Sequence, residues 1–238
     1  MKKLCIYVEG QTEELFVEKL ITEIVNKNEI AIIVERLSGG GKSGTEKTLT
    51  TIRVKQVTND TKYYIQIINC QNDEKVQSEI RENCLSMQNK GFEKVLGIRD
   101  LYPKKLEDLV KMLKYTVIKD PELQIMAKSI IAVFEIETWF LAEFNFFKKL
   151  DSRLTLEYIK TNGYDLEKDK LDMDIKYHHS AEVLNKIYHL VGRSYDKTLA
   201  KSQFLVENLD YERIYLELKD KLKALEEFIN ELDDFFSK

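Results

Sequence analysis

Apolar positions along the chain follow two alternating patterns. Short continuous runs occur at Lys3–Val8 (L-C-I-Y-V), Ile30–Leu37, Tyr63–Ile68, Val95–Ile98 and Ser129–Phe134. Runs of this length, rich in β-branched residues and stopped by Gly, Asn or acidic residues, read as buried strands. Between them the apolar residues fall at helical spacing. Thr12 is followed by Leu15, Phe16, Leu20, Ile21, Ile24 and Val25, with Thr12 as the N-cap and Glu13 and Glu14 in the first turn. Helices are also expected over Thr45–Val57, Asp73–Gln88, Pro103 to Leu113, and Glu135–Phe147. Strands alternating with helices of this length predict an α/β fold with a mainly parallel sheet over residues 1–147.

No strand pattern follows Asp151. Helices are expected near Leu154–Lys160, Ser180–Leu190 and Lys197–Glu207, so residues 148–238 read as a helical C-terminal region packed on the α/β domain. Tyr211, Tyr215, Leu218, Leu222, Leu225, Ile229, Leu232 and Phe236 form a heptad stripe, predicting one helix over 211–236. Two readings of it stay open: a long helix packed on its own domain, and a homodimer through that helix, because 3.5 and 3.6 spacing barely differ over this length. Gly163–Asp174 is charge-dense and reads as an exposed connector.

At 238 residues the chain fits one large domain or two small ones. With 9 Gly and 2 Pro it is not a disordered or linker-rich sequence. There is no apolar run of the ~18 residues a membrane helix needs, and the N-terminal apolar stretch is shorter than the ~7 residues of a secretory signal, so no membrane association and a cytoplasmic location are expected. Three Cys without a C-x-x-C argue against a disulfide framework or a Cys-based zinc site. Cys5 and Cys70 lie in apolar runs and read as small buried hydrophobes. The net charge of −4 does not suggest indiscriminate nucleic-acid binding, but Arg36, Lys42, Lys47, Arg53, Lys55 and Lys62 leave room for a local basic groove.

The candidate chemistry sits at strand ends, where open α/β sheets place their sites. Glu9 follows the first strand, Asp100 the fourth, and Glu135 and Glu137 the fifth. Converging carboxylates repel one another, and a hard divalent cation such as Mg²⁺ or Mn²⁺ relieves that. This is a rationale for phosphodiester chemistry. Both Glu135 and Glu137 face one side if the strand continues, and only one, Glu137 being favoured, if a helix starts at Glu135; Glu143 then reads as peripheral and Trp139, Phe140 and Leu141 as core. Ser38–Gly44 is not a P-loop, because Arg36 stands where the first glycine belongs. Its amides and Lys42 suit a nucleic-acid phosphate, and Lys197 and Lys201 lie one turn apart. His178 and His179 are adjacent and share no helix face, so no histidine receives a role.

V-E-G-Q-T-E-E-L-F resembles the first motif of TOPRIM domains, the catalytic domain of topoisomerases, primases and OLD-type nucleases. V-L-G-I-R-D-L-Y-P resembles the strand carrying the second, Asp-x-Asp motif. A-V-F-E-I-E-T-W-F-L-A-E resembles a signature of small bacterial TOPRIM-like proteins, some of them in phage-defence loci, whose G-G-K element and C-terminal Lys would match Gly40-Gly41-Lys42 and Tyr195-Asp196-Lys197. The resemblance implies a TOPRIM-like fold and a Mg²⁺-dependent nuclease. Glu9 would be the general acid/base, with metal contact. Asp100 would be a metal ligand, with Glu135 or Glu137 standing in for the second Asp, which here is Tyr102. Gly10, Lys42 and Lys197 would contact phosphate. The resemblance also implies nucleic acid as a partner, and a partner protein from a defence locus. The alternative is a non-catalytic metal- or phosphate-binding module acting with a partner protein. A phosphatase using Asp100 as nucleophile lacks the D-x-D-x-[TV] context.

Overall fold

The computed structural model describes residues 1–40, 45–72, 74–169 and 177–237. Its framework is α/β: a six-stranded, mostly parallel sheet flanked by helices, followed by a helical C-terminal region. The strands are β1 (Lys2–Val8), β2 (Ile30–Ser38), β3 (Thr48–Lys55), β4 (Tyr63–Asn69), β5 (Lys94–Asp100) and β6 (Met126–Ala132), in the order β3-β2-β4-β1-β5-β6. β1 runs parallel to both β4 and β5, β2 runs parallel to β4, and β3 is antiparallel to β2. A strand between two parallel neighbours is covered on both faces, which is why Leu4 to Val8 read as an unbroken apolar run.

Residues 45–57 were expected as a helix; they hold β3, which is a correction. T-L-T-T-I-R-V-K concentrates β-branched Thr, Ile and Val, whose stiff χ1 suits a pleated strand. The edge strand is exposed on both faces, so its spacing carries no amphipathic signal. Helix α1 (Gln11–Ile24) starts two residues earlier than the expected Thr12 cap predicts, capped by extended Gly10, and Thr12 is buried inside its first turn.

The chain forms two compact units that interleave in sequence and do not follow a division at residue 147. The first comprises Met1–Arg99, Met112–Ile131 and the C-terminal residues from Asp233. Its core on one sheet face joins Cys5, Tyr7 and Cys70 to Val76, Ile80, Cys84 and Met87 of α2 (Lys75–Asn89). All three cysteines are free and buried, and burial pushes the Cys70 thiol up to about 12. Gly97 lets α2 approach the sheet: a Cβ there would lie 2.5 Å from Ile80 Cδ1 and 2.7 Å from Val76 Cγ1, both fully buried. Gly97→Ala is therefore expected to cost about 1–3 kcal/mol by overpacking. The urea midpoint measures it, and an unchanged midpoint refutes the close-approach account.

Most of the basic stretch seen in the sequence is used internally. Arg53 and Arg36 bind the buried Glu14 at 2.8 and 3.4 Å, Lys47 binds Glu79 and Glu82 at 2.6 Å each, and Lys62 binds Glu29 at 2.7 Å. Lys55 donates to the Lys27 carbonyl. Arg53 and Lys55 are thus engaged within the chain. Gly41 and Lys42 lie outside the described residues.

The second unit comprises Asp100–Lys111 and Ala132–Leu232. After α3 (Leu106–Leu113), it contains α4 (Glu137–Glu143), α5 (Phe146–Leu150), α6 (Leu156–Thr161), α7 (Leu166–Asp169), α8 (Ser180–His189) and α9 (Leu199–Asn208). The expected helix 135–147 is split at Phe144, whose φ is +25°. The connector expected over 163–174 contains α7, and its remainder from residue 170 lies outside the described residues.

The single helix expected over 211–236 is also corrected. A helical turn α10 (Tyr211–Arg213) continues as a π-type turn (Ile214–Leu218) and a 3₁₀ turn (Lys219–Lys221). Leu222 is extended (φ −124°, ψ 99°), and α11 (Lys223–Ser237) follows. Leu218, Leu222, Leu225, Ile229 and Leu232 are all buried. Apolar spacing survives a one-residue break because Leu222 still sits in the stripe. No helix among the described residues is long and apolar enough to cross a membrane.

Candidate metal centre

Within the second unit, three of the strand-end acids meet. Ligand oxygens of Asp100, Glu135 and Glu137 all lie within 4.8 Å of one another, and all three residues are buried. Asp100 closes β5, and its Oδ1 accepts the Ile136 N–H at 3.0 Å. That bond ties the end of β5 to the turn between β6 and α4.

The turn explains how two glutamates two residues apart both enter. Neither expected geometry holds: β6 stops at Ala132 and α4 starts at Glu137. Between them Phe134 takes a left-handed φ of +62°, a strained conformation for a bulky residue. The Tyr102 N–H donates to the Phe134 carbonyl at 2.7 Å, fixing the turn. Glu135 projects from this turn, and Glu137 from the first residue of α4.

Each glutamate has its own support. Glu135 Oε2 accepts the Ala181 N–H at the start of α8 (2.9 Å) and contacts His179 Nδ1 at 2.8 Å. A carboxylate at a helix N-terminus is favoured by the exposed amides and the dipole. Glu137 Oε1 accepts the Tyr195 hydroxyl at 3.0 Å, and Lys197 Nζ lies 3.2 Å from it. Lys197 Nζ is also 3.6 Å from Glu135 Oε1. Glu137 Oε2 is buried with no hydrogen-bond partner. Burial, opposed by Lys197 and reinforced by the Glu135 charge, pushes the Glu137 carboxyl above its usual range.

An orphaned, desolvated carboxylate oxygen beside two other carboxylates is costly unless something binds it. All three residues are hard oxygen donors, the set that Mg²⁺ or Mn²⁺ takes, so Asp100, Glu135 and Glu137 fit a divalent ion.

Tyr102 supplies no carboxylate; its ring stacks on His179 at 4.7 Å and 15°. His178 packs on Tyr102 and on Phe134 at 5.5 and 4.6 Å. Sequence reasoning gave the histidines no role and missed His179. The only available signal was their place just ahead of α8. Tyr195 and Lys197 both reach Glu137, so the Y-D-K segment serves the acidic cluster. Lys201 instead pairs with Asp196 at 2.9 Å. Trp139 is fully buried, as its apolar setting predicted. Glu143 was expected at the periphery but is fully buried, a correction taken up below.

Glu9 belongs to the first unit, at the end of β1. It is buried, with Arg99 Nε 4.0 Å from its Oε1. Gly10 is the N-cap of α1, and a Cβ there would meet Glu13 Oε2 at 3.0 Å. The first-turn acids Glu13 and Glu14 are buried as well.

Fold and site together define an α/β protein with a candidate divalent-metal centre built from three carboxylates. The chain belongs to the DUF4276 family, described as a domain of unknown function, which matches residues 8–232. No curated protein and no solved structure matches the chain.

Proposed function

We propose that the protein is a Mg²⁺- or Mn²⁺-dependent hydrolase of nucleic-acid phosphodiester bonds, a TOPRIM-like nuclease acting in the cytoplasm, with its metal held by Asp100, Glu135 and Glu137. The observation that carries this reading is the buried oxygen cluster with Glu137 Oε2 left without a protein partner. A divalent ion there would neutralise charge on a scissile phosphate and acidify a bound water. The remaining work falls to this chain's own groups. The Lys197 ammonium lies against both glutamates and offsets charge that develops on the phosphate. His179 and the Ala181 amide hold Glu135, and Tyr195 holds Glu137, so the ligand oxygens are oriented in advance. The roles of Glu9 as general acid/base and of Gly10 and Lys42 as phosphate contacts, and the phage-defence setting, rest on the sequence and its resemblance.

A second reading, a module that binds metal or phosphate without cutting and acts with a partner protein, is favoured by Tyr102. Its packing against His179 leaves the end of β5 with one carboxylate instead of two. Incubating the protein with supercoiled plasmid, single-stranded DNA and RNA in Mg²⁺, Mn²⁺ or EDTA, alongside calorimetric titration with each metal, separates the readings. Metal-dependent cutting is the expected result. Metal binding without cutting would transfer the centre to the module. Neither binding nor cutting would remove the metal reading.

A further inference from the structure

A cleft of about 430 Å³ lies in the first unit, between α2 and the segment that leads into β6. Arg81, Lys114 and Lys119 line it, and none of the three has a carboxylate partner among the described residues. Elsewhere in the unit Arg36, Lys47, Arg53, Lys62 and Lys94 are ion-paired. With three cations and one carboxylate, Asp120, among its lining residues, the cleft carries a net positive charge that favours an anion.

Arg81 stands on α2, while Lys114 and Lys119 share the facing segment with Tyr115, Val117 and Ile118, and that segment is held in place. The Ile118 N–H donates to the Ala127 carbonyl, and the Ser129 N–H to the Thr116 carbonyl, each at 2.9 Å. Gln77 of α2 donates to the Tyr115 carbonyl at 2.6 Å. The segment is thus pinned to β6 and to α2 like a short strand. Alternation turns Thr116 inward, where it is buried, and Tyr115 and Val117 outward. Tyr115 is 63% exposed and Val117 43%. An aromatic ring this exposed on a tethered backbone offers a stacking surface at little entropic cost. Asp120 also lines the cleft, its Oδ1 accepting the Glu122 N–H at 2.9 Å.

Cations on both sides of the cleft, with a tethered aromatic–aliphatic surface beside two of them, fit a ligand that is anionic at one end and flat at the other. We propose that this cleft binds a nucleoside phosphate, the base against Tyr115 and Val117 and the phosphate among Arg81, Lys114 and Lys119. The nucleotide is either free or one residue of a single strand, since the recognised chemistry is the same. The volume is that of a small-ligand site. The site lies outside the acidic cluster and does not rest on the metal reading.

The test uses the full chain in EDTA, so that failure of the metal reading does not touch it. Adenosine 5′-monophosphate, inorganic phosphate and a fluorescein-labelled single-stranded DNA decamer are titrated separately. AMP is expected to bind about tenfold or more tightly than phosphate, the weight of one base–aromatic stack. Tyr115→Ala should erase that advantage, Tyr115→Phe keep it, and Lys114→Ala with Lys119→Ala weaken all three probes about tenfold. These are exposed positions, so the variants should fold, and unchanged melting confirms it. If the decamer binds more tightly than AMP, with a log–log salt slope of about −2 for three phosphate contacts, the ligand is a strand. If AMP binds more tightly, it is a free nucleotide. Absence of binding by AMP and the decamer, or AMP binding that matches phosphate and ignores Tyr115→Ala, overturns the proposal.

Discussion

Glu137→Gln is expected to lower metal-dependent cleavage by about 10³-fold without lowering the melting temperature of the metal-free protein. The two halves of this prediction come from the same geometry. Glu137 is fully buried, Oε1 is held by Tyr195 and Lys197, and Oε2 has no partner. Burial is the dominant influence on its carboxyl and favours the neutral form, so the charge costs the fold stability when no cation is present. Gln keeps the shape and the oxygen that accepts from Tyr195, and removes the charge. It also removes one anionic ligand, and losing several kcal/mol of transition-state charge stabilisation is worth about 10³-fold in rate. Asp100→Asn should behave alike in cleavage, although its Oδ1 bond to the Ile136 N–H makes its effect on the turn larger. A Glu137→Gln protein that cuts at the wild-type rate would remove Glu137 from the metal set. One that melts much lower would make the residue structural.

The second large effect is on stability. Between pH 5 and pH 8 the melting temperature should fall, and Glu143→Gln should flatten that fall. Glu143 sits at the end of α4 with its side chain fully buried. Arg213 Nη1 lies 3.6 Å from Oε1, the Phe146 N–H donates to Oε2 at 3.3 Å, and Arg213 also donates to the Glu143 carbonyl. The Arg213 guanidinium is itself stacked 4.1 Å above the Phe144 ring. Burial pushes the Glu143 carboxyl up to about 7, with Arg213 and backbone donors opposing and Asp210 adding to the rise. The folded chain therefore holds this proton more tightly than the unfolded chain. The resulting stability is fully present below the ordinary value of 4.5 and is lost as pH rises through about 7. The interval from 4.5 to about 7, at 1.36 kcal/mol per pH unit, corresponds to about 3 kcal/mol. For a chain of this size that is about 6–12 °C. A wild-type protein whose melting is flat with pH, or a Glu143→Gln protein with the same slope, would refute the assignment.

Parts of the site could be read from residues in order. Asp100, Glu135 and Glu137 each follow an apolar run, and a strand that ends in an acid puts that acid on the rim of the sheet. Lys197 was legible as a basic residue near the C-terminus, although its contact with two glutamates was not. His179 and Tyr195 were invisible as site residues, since they lie 44 and 58 positions from the glutamates they touch. Spacing within a helix reports which face a residue shares with its neighbours and says nothing about the element packed opposite. For the same reason β3 passed for a helix: an edge strand exposed on both faces has no buried face for its pattern to reveal.

What the sequence by itself determined is the alternation of strands and helices, the mainly parallel sheet, and the carboxylates at strand ends. These follow from apolar periodicity and from stop residues, which act over a few positions. The tertiary structure alone decided the rest. It set the left-handed turn at Phe134 that turns two glutamates inward, the burial that raises Glu137 and Glu143, the break at Leu222 in an unbroken stripe, and the pairing of Arg36 and Arg53 with Glu14. Burial and charge depend on what distant segments bring alongside a residue, and around these residues those segments lie 22 to 70 positions away in the sequence.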